Sequence, residues 1–132
     1  MRILVLDDND ENVEILADTL RSEGHDVEEY TSPNEAMKCF HGGDFGVVIS
    51  DIKMPEMDGL EVLEMVKQHN PDTYVILVTG FACMENSIDA LNKGAYRFFR
   101  KPLDIREIIS ALRDIEIEMK RKRNAQLRIS RD

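Results

Sequence analysis

The feature that most constrains the fold is a set of five short strand-like segments separated by segments with helical spacing. The strand-like segments cover residues 2–6, 27–30, 45–50, 74–78 and 96–99. Those at 2–6, 45–50 and 74–78 are continuous apolar runs rather than alternating ones, which favours strands that are covered on both faces of a sheet. Strands that alternate with helices predict a parallel sheet with right-handed crossovers. We therefore expect an α/β fold, a doubly wound five-stranded parallel sheet.

The helical segments are predicted from apolar spacing and from end signals. Ser32-Pro33-Asn34-Glu35 is typical of a capping box with proline at the first helical position. The predicted helices cover residues 10–23, 33–40, 60–68, 84–93 and a long segment from 104 to about 123.

The last predicted helix has two features that set it apart. Ile108, Leu112, Ile115 and Met119 alternate spacings of four and three, as in a heptad seam. At a length of ~30 Å the helix exceeds the ~13–14 Å radius of gyration of such a domain, so we expect it to project. The alternative, that its first half packs and the rest frays, stays open.

Length and charge limit the domain organisation. The 132 residues suit one domain, predicted at 1–118, followed by a basic helical extension or linker at 119–132. The stretch from 120 onward carries about +5 and the remainder about −14. An acidic body argues against nucleic-acid binding by the main domain. No run is long enough for a membrane span or a signal peptide, which indicates a cytoplasmic protein.

The cysteines and histidines give weak signals. Cys39 and Cys83 lack metal-site spacing, and we expect two free buried thiols. His25, His41 and His69 are isolated near predicted element ends, and we expect no metal or catalytic role for them.

Polar residues follow four of the five predicted strands at the point where each strand ends. Asp7-Asp8, Asp51, Thr79 and Lys101 occupy these positions. In open α/β sheets the carboxyl ends of the strands form the ligand-binding crevice. Three carboxylates, a hydroxyl and an ammonium are therefore expected to converge.

Three neighbouring carboxylates raise one another's pKa and destabilise a site unless a cation compensates. A hard cation with oxygen ligands, such as Mg²⁺, suits this set. Asp7, Asp8, Asp51, Lys101 and Mg²⁺ then sum to zero formal charge. An aspartate in such surroundings is a plausible phosphoryl acceptor, because metal and lysine neutralise charge during transfer.

These residues resemble the receiver domain of bacterial two-component response regulators over about residues 1–118. The resemblance rests on Asp7-Asp8, the segment 51–59 (DIKMPEMDG), Thr79-Gly80 and Lys101-Pro102 in this order. It implies a flavodoxin-like fold with strand order 2-1-3-4-5. It also implies a signalling switch, not an enzyme in its own right, that is phosphorylated on Asp51 by a sensor histidine kinase or a phosphotransfer protein.

The resemblance further implies roles for individual residues. Mg²⁺ would be held by Asp8, Asp51 and the backbone carbonyl of Lys53, with Asp7 assisting through water. Lys101 and Thr79 would bind the phosphoryl oxygens, and the Lys101-Pro102 bond would be cis.

The resemblance also implies a switch and a lifetime control. Thr79 and the aromatic Phe98 would move together as the switch. Phe81 is bulky and is predicted to shield the phosphoryl group from water, which would slow its loss.

The sequence also bears on the interaction surfaces of the protein and on two alternative functions. The family resemblance implies signalling through the surface of the fourth helix, fifth strand and fifth helix, and a homodimer through that face or through the C-terminal helix is a further expectation. An aspartyl-phosphate phosphatase is an alternative, but such enzymes generally need an acid two residues after the nucleophile, where Lys53 stands. A flavin-binding protein of the same fold would need a phosphate loop where Asp7-Asp8-Asn9-Asp10 would repel phosphate.

Overall fold

The computed structural model describes residues 1–80 and 89–131, with side chains to residue 129. The order of elements is β1 (Arg2–Leu6), α1 (Asp10–Ser22), β2 (Asp26–Tyr30), α2 (Pro33–Gly42), β3 (Val47–Asp51), α3 (Gly59–His69), β4 (Tyr74–Thr79), α4, whose described part is residues 89–92, β5 (Arg97–Arg100) and α5 (Ile105–Arg131). The sheet order is β2-β1-β3-β4-β5, and every described strand pair is parallel. The predicted fold class and strand order are confirmed.

Each strand sends alternate side chains into two separate cores. Ile3 and Val5 pack in the core under α1 and α5, whereas Leu4 and Leu6 pack in the core under α2 and α3. Because successive residues of a strand point to opposite faces, a strand buried on both faces has to be apolar throughout. This explains why the inner strands β1, β3 and β4 read as continuous apolar runs.

The helix starts follow from capping side chains. Asn9, Ser32 and Asp58 have extended backbone, and each side chain accepts a hydrogen bond from the amide three residues on. Such caps satisfy amides that have no partner inside the helix. The chain therefore enters α1, α2 and α3 at fixed points immediately after the carboxyl edge of the sheet.

The predicted start of the third strand was wrong. The third strand begins at Val47 rather than Phe45, although Phe45 is buried and its ring stacks on Phe40 with centroids 6.2 Å apart. Burial of an aromatic side chain here does not require strand backbone. In the predicted helix 84–93, residues 84–88 lie outside the described part of the chain, and residues 89–92 are helical.

Helix α5 is longer than predicted and does not end near Arg123. It has 27 residues and continues to Arg131, about 40 Å at the usual helical rise. Ile108, Ala111, Leu112 and Ile115 are buried, whereas residues 120–129 are all exposed. The proximal half thus packs on the sheet and the distal half extends away from it.

Two remaining expectations concern thiols and membranes. Cys39 is a free thiol but is only half-buried, because it lies at the edge of the α2 core rather than within it; Cys83 is outside the described residues. In the described ranges, none of the helices has the length and apolar composition required to cross a bilayer.

Candidate functional site

The sheet brings the predicted polar residues to one edge. Asp51 and Thr79 are the last residues of β3 and β4, while Asp7 and Lys101 directly follow β1 and β5. In the register of the sheet Asp51 lies beside Val78, and Thr79 lies beside Arg100. Because all five strands are parallel, these ends lie at the same carboxyl edge.

The centre of the site is a lysine that bridges two carboxylates. The ammonium Nζ of Lys101 donates to Oδ2 of Asp51 at 3.0 Å and to Oδ2 of Asp7 at 3.1 Å. One oxygen each of Asp7, Asp8 and Asp51 lies within 4.8 Å of the others. The carboxylates expected to converge are therefore close enough to share one cation.

Burial sets the electrostatics of Asp51. Asp51 is only 7% exposed and Asp7 is 9% exposed, whereas Asp8 is open to solvent. Loss of solvation raises the pKa of Asp51 above its usual value, and the charge of Asp7 adds to this. The hydrogen bond and charge of Lys101 lower the pKa of Asp51 but only partly offset the burial.

The same interactions act on Lys101 in the opposite sense. Burial disfavours its charge, but the hydrogen bonds and charges of Asp51 and Asp7 outweigh burial and raise the pKa of Lys101. The ammonium is therefore a fixed positive charge at neutral pH. With three carboxylates and one ammonium, the cluster keeps a formal charge of about −2, which a divalent cation would neutralise.

Backbone hydrogen bonds hold the site in place. The amide of Asn9 donates to Oδ1 of Asp7 at 3.0 Å, and the amide of Lys101 donates to the carbonyl of Thr79 at 2.8 Å. The amide of Gly59 donates to the carbonyl of Ile52 at 2.8 Å. This last bond folds the segment after Asp51 back onto the end of β3.

Only glycine fits at the start of α3. A Cβ on Gly59 would lie 2.5 Å from the carbonyl oxygen of Asp51 and 2.8 Å from Cα of Ile52. Contacts this short with backbone atoms force a displacement. The glycine of the 51–59 segment thus keeps the loop close to the predicted acceptor.

The predicted switch residues lie beside the site. Thr79 is 2% exposed, and Phe98 is half-buried on the side of α2 and α3. Phe99 packs against the opposite core, as alternation along β5 requires. The Lys101-Pro102 bond is cis, as expected. The side chain of Lys53 is exposed, and Phe81 lies outside the described residues.

A cavity of about 640 Å³ opens next to the site. Asp7, Asp51 and Lys101 form part of its lining, and most of the remaining wall is apolar and comes from the strands, α1 and the segment before α5. Ile15 of α1, which is 66% exposed, stands at its rim. An incoming group can therefore reach Asp51 along an apolar surface.

Two histidines form a contact that their positions in the sequence do not predict. From the sequence His41 and His69 are expected to be isolated, but their ring centroids lie 4.5 Å apart at an interplanar angle of 74°. They are 28 residues apart in sequence, so only the packing of α2 against α3 brings them together. No local sequence signal marks the pair.

Comparison with known proteins decides the family. The family model described as response regulator receiver domain matches residues 3–113. The chain belongs to the response regulator receiver family. Receiver domains are phosphoacceptor modules of two-component signalling, and the geometry above lies within the matched region.

Curated relatives of this receiver domain are named as regulatory proteins. The regulatory protein AtoC of Escherichia coli is 35% identical over 107 residues, which is 81% of this chain and 23% of that protein. The C4-dicarboxylate transport transcriptional regulatory protein DctD of Rhizobium meliloti is 32% identical over 114 residues, 86% of this chain and 25% of that protein. The chain thus spans about a quarter of the length of these relatives.

Solved structures agree on the receiver fold. A CheY-like receiver domain protein from Methanospirillum hungatei superposes with a TM-score of 0.86 at 31% identity, covering 91% of this chain and 97% of that chain. The beryllofluoride-activated NtrC4 receiver domain dimer superposes with a TM-score of 0.84 at 30% identity, covering 89% and 97%. The second of these is a dimer in its activated form.

Proposed function

We propose that this receiver domain accepts a phosphoryl group on Asp51 from a phosphohistidine of a sensor kinase or phosphotransfer protein. The observation that carries the proposal is the bridging of Asp51 and Asp7 by the Lys101 ammonium, at 3.0 and 3.1 Å. This arrangement keeps a carboxylate oxygen anchored at the floor of an open cavity. It also supplies a positive charge where the phosphoryl oxygens would arrive.

In the transfer, an oxygen of Asp51 forms a bond to phosphorus while the bond from phosphorus to the donor histidine nitrogen breaks. The donor nitrogen keeps the electron pair of the broken bond. Lys101 moves its hydrogen bonding from the carboxylate to a phosphoryl oxygen, and the buried hydroxyl of Thr79 offers a second donor. Charge stabilisation and positioning, rather than covalent help, account for most of the catalysis in such transfers.

The carboxylate cluster fits Mg²⁺. Its donor set consists of oxygens from Asp7, Asp8 and Asp51 within 4.8 Å, and oxygen ligands at a net negative site are what Mg²⁺ prefers. We propose that Asp8, Asp51 and the backbone carbonyl of Lys53 bind the ion, with Asp7 acting through water. When bound, the ion would neutralise the charge that develops on the transferred group.

The proposed switch couples the phosphoryl group to a distant face. Movement of Thr79 toward the phosphoryl group would leave space that the half-buried ring of Phe98 can occupy. Burial of more aromatic surface favours the inward position of the ring. The surface of α4, β5 and α5 would then change for a partner protein or an output domain.

Beryllofluoride binding tests this proposal. Fluorine NMR of the chain with Mg²⁺, beryllium and fluoride should show a bound signal that Asp51→Asn abolishes. Asp44→Asn, at an exposed aspartate before β3, is the matched control and should retain the signal. A bound signal of equal intensity in Asp51→Asn would overturn the assignment of Asp51.

A further inference from the structure

The ends of α2 and α3 bring two histidines together at the opposite edge of the molecule from Asp51. His41 is the next-to-last residue of α2, and His69 is the last residue of α3. Their rings meet edge to face at 4.5 Å, and Phe40 packs edge-on against both at 6.1 and 5.6 Å. The buried phenylalanine thus holds two exposed imidazoles side by side.

A small pocket adjoins this pair. It has a volume of about 270 Å³ and is lined by His41, Met65, Gln68 and His69. Met65 precedes His69 by four residues on α3, so both side chains lie on one face of the helix. The pocket is therefore lined by two imidazoles and a thioether.

We propose that His41, His69 and Met65 form a binding site for a copper ion. Imidazole nitrogen binds copper, nickel and zinc, whereas thioether sulfur adds a preference for copper. Both histidines lie where helices end, and the carbonyl groups at helix C-termini carry partial negative charge that favours a cation. The ion would join the ends of α2 and α3.

The proposed copper site is separate from the phosphoacceptor site. Helices α2 and α3 end just before β3 and β4 begin, so the pair lies at the amino edge of the sheet. Asp51 lies at the carboxyl edge of the same strands. Substitutions of these histidines are therefore expected to leave beryllofluoride binding at Asp51 intact.

The test is a titration of the folded chain with Cu²⁺ in excess Mg²⁺, followed by electron paramagnetic resonance. Excess Mg²⁺ protects the carboxylate cluster from copper. All variants carry Cys39→Ser and Cys83→Ser so that thiols neither reduce nor bind the ion. The spectrum is expected to show coupling to two imidazole nitrogens.

His41→Phe and His69→Phe are the decisive variants, because phenylalanine keeps the ring contact but has no ligand atom. Each is expected to remove coupling to one nitrogen and to lower the Cu²⁺ affinity at least about tenfold. Gln68→Ala is the matched control and should bind as tightly as the parent. Met65→Leu should lower the affinity for Cu⁺ more than the affinity for Zn²⁺. Competition with a chromogenic chelator measures the affinity for Cu⁺.

Two results would overturn the copper site. One is an unchanged Cu²⁺ affinity in His41→Phe and His69→Phe. The other is a spectrum without nitrogen coupling in the parent. Circular dichroism and beryllofluoride binding of the same variants would show that they are folded, so either result would count against the site itself.

Discussion

Among single residues, Lys101 balances the charge of the site. It bridges two buried carboxylates, so Lys101→Met would leave Asp7 and Asp51 facing each other without compensation. We expect the free energy of unfolding to fall by about 2 kcal/mol in chelator, because charged groups would lose their hydrogen bonds. Urea denaturation measures this effect.

The matched control for that variant is Lys93→Met. Lys93 also pairs with two carboxylates, Glu64 at 3.1 Å and Asp89 at 3.4 Å, but at the surface. Surface ion pairs contribute little to stability. An equal decrease in the free energy of unfolding in the two variants would show that burial of the Lys101 bridge does not contribute to stability.

Gly59 is a second residue whose substitution has a predictable effect. Gly59→Ala would force Cβ against the backbone of Asp51 and Ile52, at 2.5 and 2.8 Å. We expect a loss of about 1–3 kcal/mol in stability and weaker beryllofluoride binding. Gly42→Ala, where no atom lies within 4 Å, should be neutral or stabilising. A Gly59→Ala variant with unchanged stability and binding would contradict this account of the loop.

His25 predicts how stability depends on pH. Its Nδ1 lies 3.3 Å from the Met1 ammonium, its Nε2 lies 3.9 Å from Oε1 of Glu116, and Glu23 is a further nearby charge. Burial, followed by the ammonium, lowers the pKa of His25. As pH falls below the usual imidazole value of about 6.5, the unfolded chain binds protons before the folded chain does.

The contribution of His25 to stability is therefore complete above that pH and is lost as pH falls through the folded-state pKa. In His25→Gln, the free energy of unfolding should vary less with pH between about 7 and 5. Gln68→Ala, which removes an exposed side chain without a titratable group, should keep the slope of the parent. The same slope in all three proteins would contradict the role of His25.

Among the elements, α5 shows the sharpest division between a packed and an extended half. Ile115 is 0% exposed, whereas Ile117, two residues on, is 51% exposed. Ile115→Ala should lower the free energy of unfolding by about 2–5 kcal/mol. Ile117→Ala should change it by less than about 0.5 kcal/mol. Similar values for both would mean that α5 does not dock as described.

The strands and helix starts could be predicted because their signals are local. Continuous apolar runs mark the doubly covered strands, and Ser32 and Pro33 mark the start of α2. Phe45 was wrongly assigned to the third strand. A buried aromatic residue just before a strand gives the same apolar sequence pattern as one within the strand. The end of α5 was also missed, since an exposed helix end depends on weak helical propensities rather than on burial.

The location of the candidate site could be predicted, because the carboxyl ends of parallel strands meet at one edge of the sheet. The contacts between its side chains could not be predicted. Parallel topology places Asp7, Asp51 and Lys101 at one edge whatever their side-chain conformations. That Lys101 bridges both carboxylates depends on three-dimensional packing. The contact between His41 and His69 was missed for the same reason, because it arises where two helices meet.

For the whole molecule, the extended half of α5 predicts association of two copies. Ile129 lies two heptads after Ile115 on the same seam and is 74% exposed. Light scattering should show a doubled mass with Mg²⁺ and beryllofluoride. Ile129→Lys should prevent the change, whereas Ile117→Lys, off the seam, should not. A dimer that persists in Ile129→Lys would place the contact elsewhere, such as on α4, β5 and α5.

The role of Asp51 as phosphoacceptor can be tested by measuring the intact mass of the chain after incubation with acetyl phosphate and Mg²⁺. We expect the mass to increase by one phosphoryl group only when Mg²⁺ is present. This group should map to Asp51 after peptide digestion and should be absent in Asp51→Asn. Equal phosphorylation of Asp51→Asn, or a phosphoryl group that maps to another residue in the parent, would contradict this role.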